Sequence, residues 1–215
     1  MLIKTAFSKI TLLILLLLAG ISQSQTDSDF VEINTLNPHI LLDIRYATDN
    51  NFLKETVYPE ARCFLRYKAA VKLDSIQKEL ETIGLGLKIF DGYRPLSVQK
   101  KMWQVLPDDR YVANPANGSR HNRGAAVDLT LVDADGKELK MPTAFDSFDE
   151  QAHHDYVLND IQVMRNRWIL RTVMEKYGFT PISTEWWHYD LKGWKNFPVE
   201  DISFEDIDKK MNSKH

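Results

Sequence analysis

Two stretches of this chain hold the residue types of a hydrolytic metal centre: Ser119-Arg120-His121-Asn122-Arg123-Gly124-Ala125-Ala126-Val127-Asp128 and Glu185-Trp186-Trp187-His188. Between them they offer two imidazoles and two carboxylates. Catalytic zinc sites commonly take three protein ligands of the His and Asp/Glu type and leave a fourth position for water, while a further carboxylate handles protons. Arg94, in the turn Asp91-Gly92-Tyr93-Arg94-Pro95, adds a cation on a separate segment.

The elements that must position these groups follow from periodicity. Alternating helices and short strands, with no repeat and no low-complexity linker, indicate an α+β fold: a small central antiparallel sheet flanked by helices, with the metal site on one sheet face. Ile40 to Tyr46 reads as a strand. Tyr67 to Ile83 places Ala69, Leu73, Ile76, Leu80 and Ile83 on one helical stripe, closed by Gly84. Leu87 to Tyr93 reads as a buried strand, and Pro95 sits at the first turn of a helix whose apolar face is Val98, Met102, Val105 and Leu106. Pro107 to Gly124 is a long polar loop of the kind that often carries function. Ala125 to Val132 is a strand, which turns through Asp133-Ala134-Asp135-Gly136 and returns over Lys137 to Met141 as a hairpin. Ile169, Leu170, Val173, Met174 and Tyr177 mark a long helix stopped at Gly178, and Glu185 to Leu191 is the last strand.

Strand alternation constrains where the reactive groups point. If Val127, Leu129 and Leu131 face the core, Asp128 and Thr130 face the other way. Small Ala126 leaves room on that second face, and Gly124 lets the loop carry His121 back toward it. Glu185 and His188 are three positions apart and would face opposite ways on a regular strand, so a bulge over Glu185 to Trp187 is required if both serve one site.

Lys4 and Lys9 precede an apolar run from Ile10 to Ala19, and Ser22-Gln23-Ser24 offers small residues after it. This is the layout of a secretory signal peptide cleaved near Ser24, shorter than the roughly 20 apolar residues of a membrane span. Residues 25–215 are then one domain ending in a charged tail over 197–215, exported to a periplasmic or extracellular space. Taking the two lysines of the leader from a net charge of −3 leaves −5. Such a chain has no bulk basic field for nucleic acid or an anionic membrane, and small zwitterions or cations suit it better. The single cysteine, Cys63, excludes an internal disulfide and reads as a small buried hydrophobe.

The other histidines compete poorly. His153 and His154 are adjacent near a helix start, where capping or a solvated face is the simpler reading. His39 and His215 have no partner nearby in sequence.

The paired motifs resemble those of the D-alanyl-D-alanine dipeptidases, the zinc enzymes related to vancomycin-resistance dipeptidases. The family pattern S-x-H-x-x-G-x-A-x-D stands here as Ser119, His121, Gly124, Ala126 and Asp128, and E-x-W-H as Glu185, Trp187 and His188. The Asp91 to Pro95 turn and the Phe145-Asp146 pair are similar to further landmarks, so the resemblance spans roughly Ile40 to Leu191. It implies one zinc per chain held by His121, Asp128 and His188, Glu185 as catalytic base and Arg94 as the positive group near the substrate carbonyl. It also implies a small zwitterionic dipeptide as substrate, Asp146 as the anchor of its ammonium and Ser119 as a hydroxyl donor to one of its ends.

Two alternatives stand beside this reading. A related zinc D,D- or L,D-carboxypeptidase acting on longer wall peptides would use a similar ligand set but need an open groove beyond the substrate's amino end. A secreted zinc-containing binding module without turnover would have no use for Glu185 as a free carboxylate.

Overall fold

A computed structural model describes residues 25–213; the expected leader and its cleavage site lie outside the described residues. The chain opens with β1 (Phe30–Glu32), α1 (Ile33–Leu36), β2 (Leu41–Leu42) and β3 (Phe64–Arg66), followed by α2 (Tyr67–Glu81), β4 (Leu85–Asp91) and α3 (Leu96–Val105). It continues through β5 (Ala126–Asp133), α4 (Ile161–Lys176), β6 (Phe179–Ile182), β7 (Glu185–Leu191) and α5 (Phe204–Asn212). Five strands form the central sheet in the order β2-β4-β5-β7-β6, and β1 pairs with β3 in a separate ribbon. No described helix is long and apolar enough to cross a membrane.

The mixed α+β architecture agrees with the sequence reading, with one correction to its antiparallel sheet. β2 runs parallel to β4, and every other pairing in the sheet is antiparallel. β2 is only Leu41–Leu42, because the chain turns into a short 3₁₀ segment at Arg45–Ala47 rather than continuing as the expected strand to Tyr46.

Register separates a greasy face from a polar one. Leu129 and Leu131 pair with Ile89 and Leu87, and Val127 pairs with Tyr189; all six are buried. α2 packs on β4, and α4 on β5, β6 and β7. Their stripes (Ala69, Leu73, Ile76 and Leu80; Leu170, Val173 and Met174) join this face in one core. The next residue along each strand falls on the opposite face, where Asp128 stands directly across from His188.

Two irregularities enrich that polar face. β4 carries one extra residue, Phe90, between the pairs Ile89–Leu129 and Asp91–Asp128, and this slip turns Asp91 to the same side as Asp128. On β7 the pairing jumps from Tyr189–Pro181 to Glu185–Ile182, four residues against one. The expected bulge is therefore present over Glu185 to His188, and it brings a Glu185 carboxylate oxygen within 3.9 Å of His188 Nδ1.

Some boundaries differ from the periodic reading. α2 ends at Glu81, so Ile83 lies past the helix and is 62 % exposed, while Val105, on the last turn of α3, is 59 % exposed. The expected return strand over Lys137 to Met141 is reduced to one bridge, Val132–Glu138. The segment expected to be a charged tail contains α5, which Ser203 caps by accepting from Asp206 N–H. Phe204 and Ile207 dock it into the core, and Arg62 grips Asp208 with two hydrogen bonds.

His121 rides on a 3₁₀ turn, His121–Arg123, tied down by Arg66: its backbone N–H donates to Gly124 O and its Nε to Arg123 O. Gly124 closes this turn at φ 65°, and a Cβ there would stand 2.5 Å from Phe30 Cε1. The left-handed conformation costs a non-glycine residue roughly 1–2 kcal/mol, and overpacking adds about 1–3 kcal/mol. Gly124→Ala is therefore expected to lower the unfolding free energy by about 2–4 kcal/mol in urea titrations. A midpoint indistinguishable from the parent's would show that the turn is not held as described.

Candidate active site

Three side-chain atoms that could hold a metal, from three parts of the chain, meet at the polar face. His121 Nε2 lies 3.1 Å from His188 Nδ1, His188 Nδ1 lies 3.0 Å from Asp128 Oδ1, and that oxygen is 3.4 Å from His121 Nε2. All three residues are buried, and among the described residues they are the one group of three or more His, Cys, Asp or Glu side chains close enough to hold a metal ion. Ligands at about 2.0–2.1 Å around a tetrahedral zinc stand about 3.3 Å apart, which is the size of this triangle.

The outer nitrogens support the same reading. His121 Nδ1 donates to Gly92 O at 2.7 Å, and His188 Nε2 donates to Asp190 Oδ1 at 2.9 Å. Each ring thus spends one nitrogen on an acceptor and turns the other inward, as metal-ligating histidines almost always do.

The buried acids and imidazoles shift one another's proton affinity. Asp128 is held well below the usual carboxylate range: burial works against the charge, but His121 and His188 outweigh it. His188 is raised to about 10, burial again opposing, because Asp190 and Asp128 flank it. Glu185 is pushed up to about 8, chiefly by burial, with Asp128 and Asp146 adding and His188 and Arg94 opposing.

Arg94 is fixed by three hydrogen bonds to two partners. Its Nε and Nη2 donate to Asp91 Oδ2 at 3.1 and 2.7 Å, and its Nη1 donates to Gln99 Oε1 at 2.8 Å. Of five guanidinium N–H bonds these three are committed and two remain. Asp91 is itself held by Tyr58 Oη, which donates at 2.8 Å. Asn122 joins the Arg94 loop to the His121 turn by donating to Arg94 O at 2.7 Å.

Asp146 lines the same cleft with its backbone in the left-handed region at φ 60°, a conformation that non-glycine residues keep mainly where surrounding structure enforces it. Tyr46 Oη donates to both of its carboxylate oxygens, at 3.1 and 3.2 Å. The residue keeps part of its surface open to the cleft, yet desolvation, with Asp128 adding, raises its carboxyl to about 7. Ser119 also lines the cleft; its hydroxyl accepts from Asn122 N–H at 3.1 Å, which leaves the hydroxyl proton to donate.

The cleft, about 640 Å³ counting its open mouth, thus gathers all seven residues singled out in the sequence. Several neighbours escaped that reading. Asp190 is two positions from His188 and so on its face, a parity signal present in the sequence. Asp91 reaches the site only through the Phe90 slip, which no pattern announces. Phe52, Tyr111 and Phe148 come from three loops and meet at the cleft, with ring centroids 5.4 Å (Phe52–Phe148) and 4.9 Å (Tyr111–Phe148) apart. His154 is buried against Tyr189 on the opposite sheet face, and His39 pairs with Glu81 at the surface. Neither joins the triangle. Cys63 is buried, as expected.

Comparison with known proteins places these residues in a family. A D-alanyl-D-alanine dipeptidase of Escherichia coli K12 is 35 % identical over 172 residues, covering 80 % of this chain and 89 % of that one. A D-alanyl-D-alanine dipeptidase of Enterococcus faecium is 34 % identical, covering 74 % and 92 %. Among solved structures, a vancomycin-resistance D,D-dipeptidase in complex with a D-Ala-D-Ala phosphinate analogue aligns with a TM-score of 0.41 at 21 % identity, covering 86 % of this chain and 76 % of that one. The family model described as D-ala-D-ala dipeptidase, peptidase family M15, matches residues 26–207, and the chain belongs to that family.

Proposed function

We propose that this protein is a zinc-dependent dipeptidase that hydrolyses D-alanyl-D-alanine. The observation that carries the proposal is the triangle of His121, Asp128 and His188 with Glu185 beside it and outside it. The zinc-containing binding module is disfavoured by that same spare carboxylate, which a structural site would not keep free.

His121 Nε2, His188 Nδ1 and Asp128 Oδ1 would hold the metal, which when bound lowers the pKa of a coordinated water to about 7 and polarises a carbonyl. Glu185 takes the proton of the attacking water and returns it to the departing amine. Arg94 keeps two uncommitted N–H bonds, whose assigned role is to stabilise the charge developing on the carbonyl oxygen. Because Asp91 and Gln99 already hold the guanidinium, little reorganisation is needed at that moment.

Asp146, steadied by Tyr46, is the anchor for the substrate ammonium, and Ser119 donates to one end of the substrate. The aromatic group of Phe52, Tyr111 and Phe148 bears on the choice between dipeptide and longer chain. Phe148 is two residues from Asp146 and lines the cleft with it, and we read these rings as the wall that closes the ammonium side. That supports a free dipeptide over the longer stem peptide of a carboxypeptidase. With residues 1–24 read as an export signal, the substrate is met outside the cytoplasm, as in turnover of wall peptides.

The direct test is a peptide panel. D-Ala-D-Ala is expected to be cleaved, with loss on chelation and recovery with zinc, while L-Ala-L-Ala and N-acetyl-D-Ala-D-Ala are spared. Preferred cleavage of the acetylated peptide would favour the carboxypeptidase instead. In the same assay Glu185→Ala is expected to lose about 100 to 10,000-fold in kcat while still binding one zinc per chain; an unchanged rate would remove Glu185 from the chemistry.

Zinc uptake should also release protons. At pH 7 the metal-free protein holds a proton on His188 (pKa raised to about 10) and on most copies of Glu185 (about 8). A metal on His188 Nδ1 must displace the first and favours loss of the second. Calorimetric titration in buffers of different ionisation enthalpy is expected to show between one and two protons released per zinc, and affinity rising with pH. Binding without proton release would contradict the charge balance described for the site.

A further inference from the structure

Behind His188 lies a chain of contacts that the proposed chemistry does not use. His188 Nε2 donates to Asp190 Oδ1 at 2.9 Å, and the other oxygen, Oδ2, stands 3.3 Å from Arg120 Nε. The Arg120 guanidinium lies over the Trp194 ring, 5.0 Å from its centroid. Asp190 is buried, whereas the Arg120 side chain is 40 % exposed. The arrangement follows from the backbone. Asp190 shares the face of His188 by strand alternation and pairs across the sheet with Ala126, whose methyl leaves space for a carboxylate. Arg120 directly precedes His121 on the turn, and Trp194 opens the 3₁₀ turn that follows β7.

We propose that Asp190 and Arg120 form a positioning pair for His188, fixing the ring so that Nδ1 faces the metal. This rests on the zinc reading above. An imidazole held only by its Cβ bond can rotate and can present either nitrogen. An acceptor on Nε2 selects one tautomer and one ring plane. Asp190 needs fixing in turn, since a carboxylate with one free oxygen can swing away. Arg120 faces that oxygen as an ion-pair partner, at 3.3 Å but without the alignment of a hydrogen bond, and its seat over Trp194 restrains the guanidinium.

The two histidines differ in this respect. His121 turns its outer nitrogen to a backbone carbonyl, Gly92 O, which no substitution removes. His188 depends on side chains, so the second imidazole is the adjustable half of the site.

The test measures zinc affinity of the full chain by competition with a chromophoric chelator, for Asp190→Ala, Asp190→Asn, Arg120→Ala, Arg120→Lys and the double alanine variant. Asp190→Ala is expected to weaken zinc binding about 10 to 100-fold. Asp190→Asn weakens it less, because its carbonyl oxygen still accepts from Nε2. Arg120→Ala weakens it several-fold, Arg120→Lys restores most of that loss, and the double variant is no weaker than Asp190→Ala alone. A downfield Nε2–H proton resonance from His188, present in the zinc-bound parent, disappears in Asp190→Ala. Thermal unfolding of the metal-free forms monitors folding, and if Asp190→Ala does not fold, Asp190→Asn and Arg120→Ala decide the matter. Parent-like affinity in Asp190→Ala and Arg120→Ala, or losses that simply multiply in the double variant, would overturn the pair while leaving the zinc site standing. A parent that takes up no zinc would overturn the zinc reading itself.

Discussion

The structure turns on one electrostatic constraint: a carboxylate and two imidazoles, all buried, packed within 3.0–3.4 Å of one another. Burying such groups costs several kcal/mol per ion unless they are paired and hydrogen-bonded. The fold meets that cost from outside the triangle. Gly92 O and Asp190 satisfy the outer ring nitrogens, and Asp91 and Gln99 fix the neighbouring cation. Inside the triangle Asp128 and Asp190 raise the proton affinity of His188, and burial raises that of Glu185.

The sheet supplies the precision this needs. Two of the three candidate ligands are cross-strand neighbours, Asp128 on β5 and His188 on β7, so their spacing is set by backbone hydrogen bonds rather than by flexible loops. The third, His121, sits on a loop, and the loop is short of freedom: Arg66 holds the turn at Arg123 O and Gly124 O, and Arg94 N–H donates to His121 O. Where the chain departs from regular pairing, at Phe90 and over Glu185 to His188, the departure delivers an acid to the polar face.

Much of this was legible in the sequence, for a physical reason. Strand alternation placed Asp128 opposite Val127, Leu129 and Leu131, and the three-residue interval between Glu185 and His188 required the bulge that β7 contains. Periodicity located α2 and α4 because their buried stripes are long. It failed at helix ends, where Ile83 and Val105 continue the pattern after the chain has left the core. It failed for short elements such as β2, whose two residues are defined by their partner rather than by their own composition. The polar surroundings were harder to see. Asp91 depends on a one-residue slip, and the aromatic group of Phe52, Tyr111 and Phe148 depends on three loops converging, a tertiary fact with no local signature. The tail over 197–215 was read from its charge, yet Phe204 and Ile207 suffice to dock α5.

The proposed chemistry requires a single cation between His121 Nε2, His188 Nδ1 and Asp128 Oδ1. Anomalous diffraction recorded on either side of the zinc absorption edge, from crystals grown with zinc, locates it directly. The expected result is one strong peak at about 2.0–2.1 Å from each of those atoms, with Glu185 beyond bonding distance. A map with no peak there, or with Glu185 in the place of one of the three ligands, would contradict it.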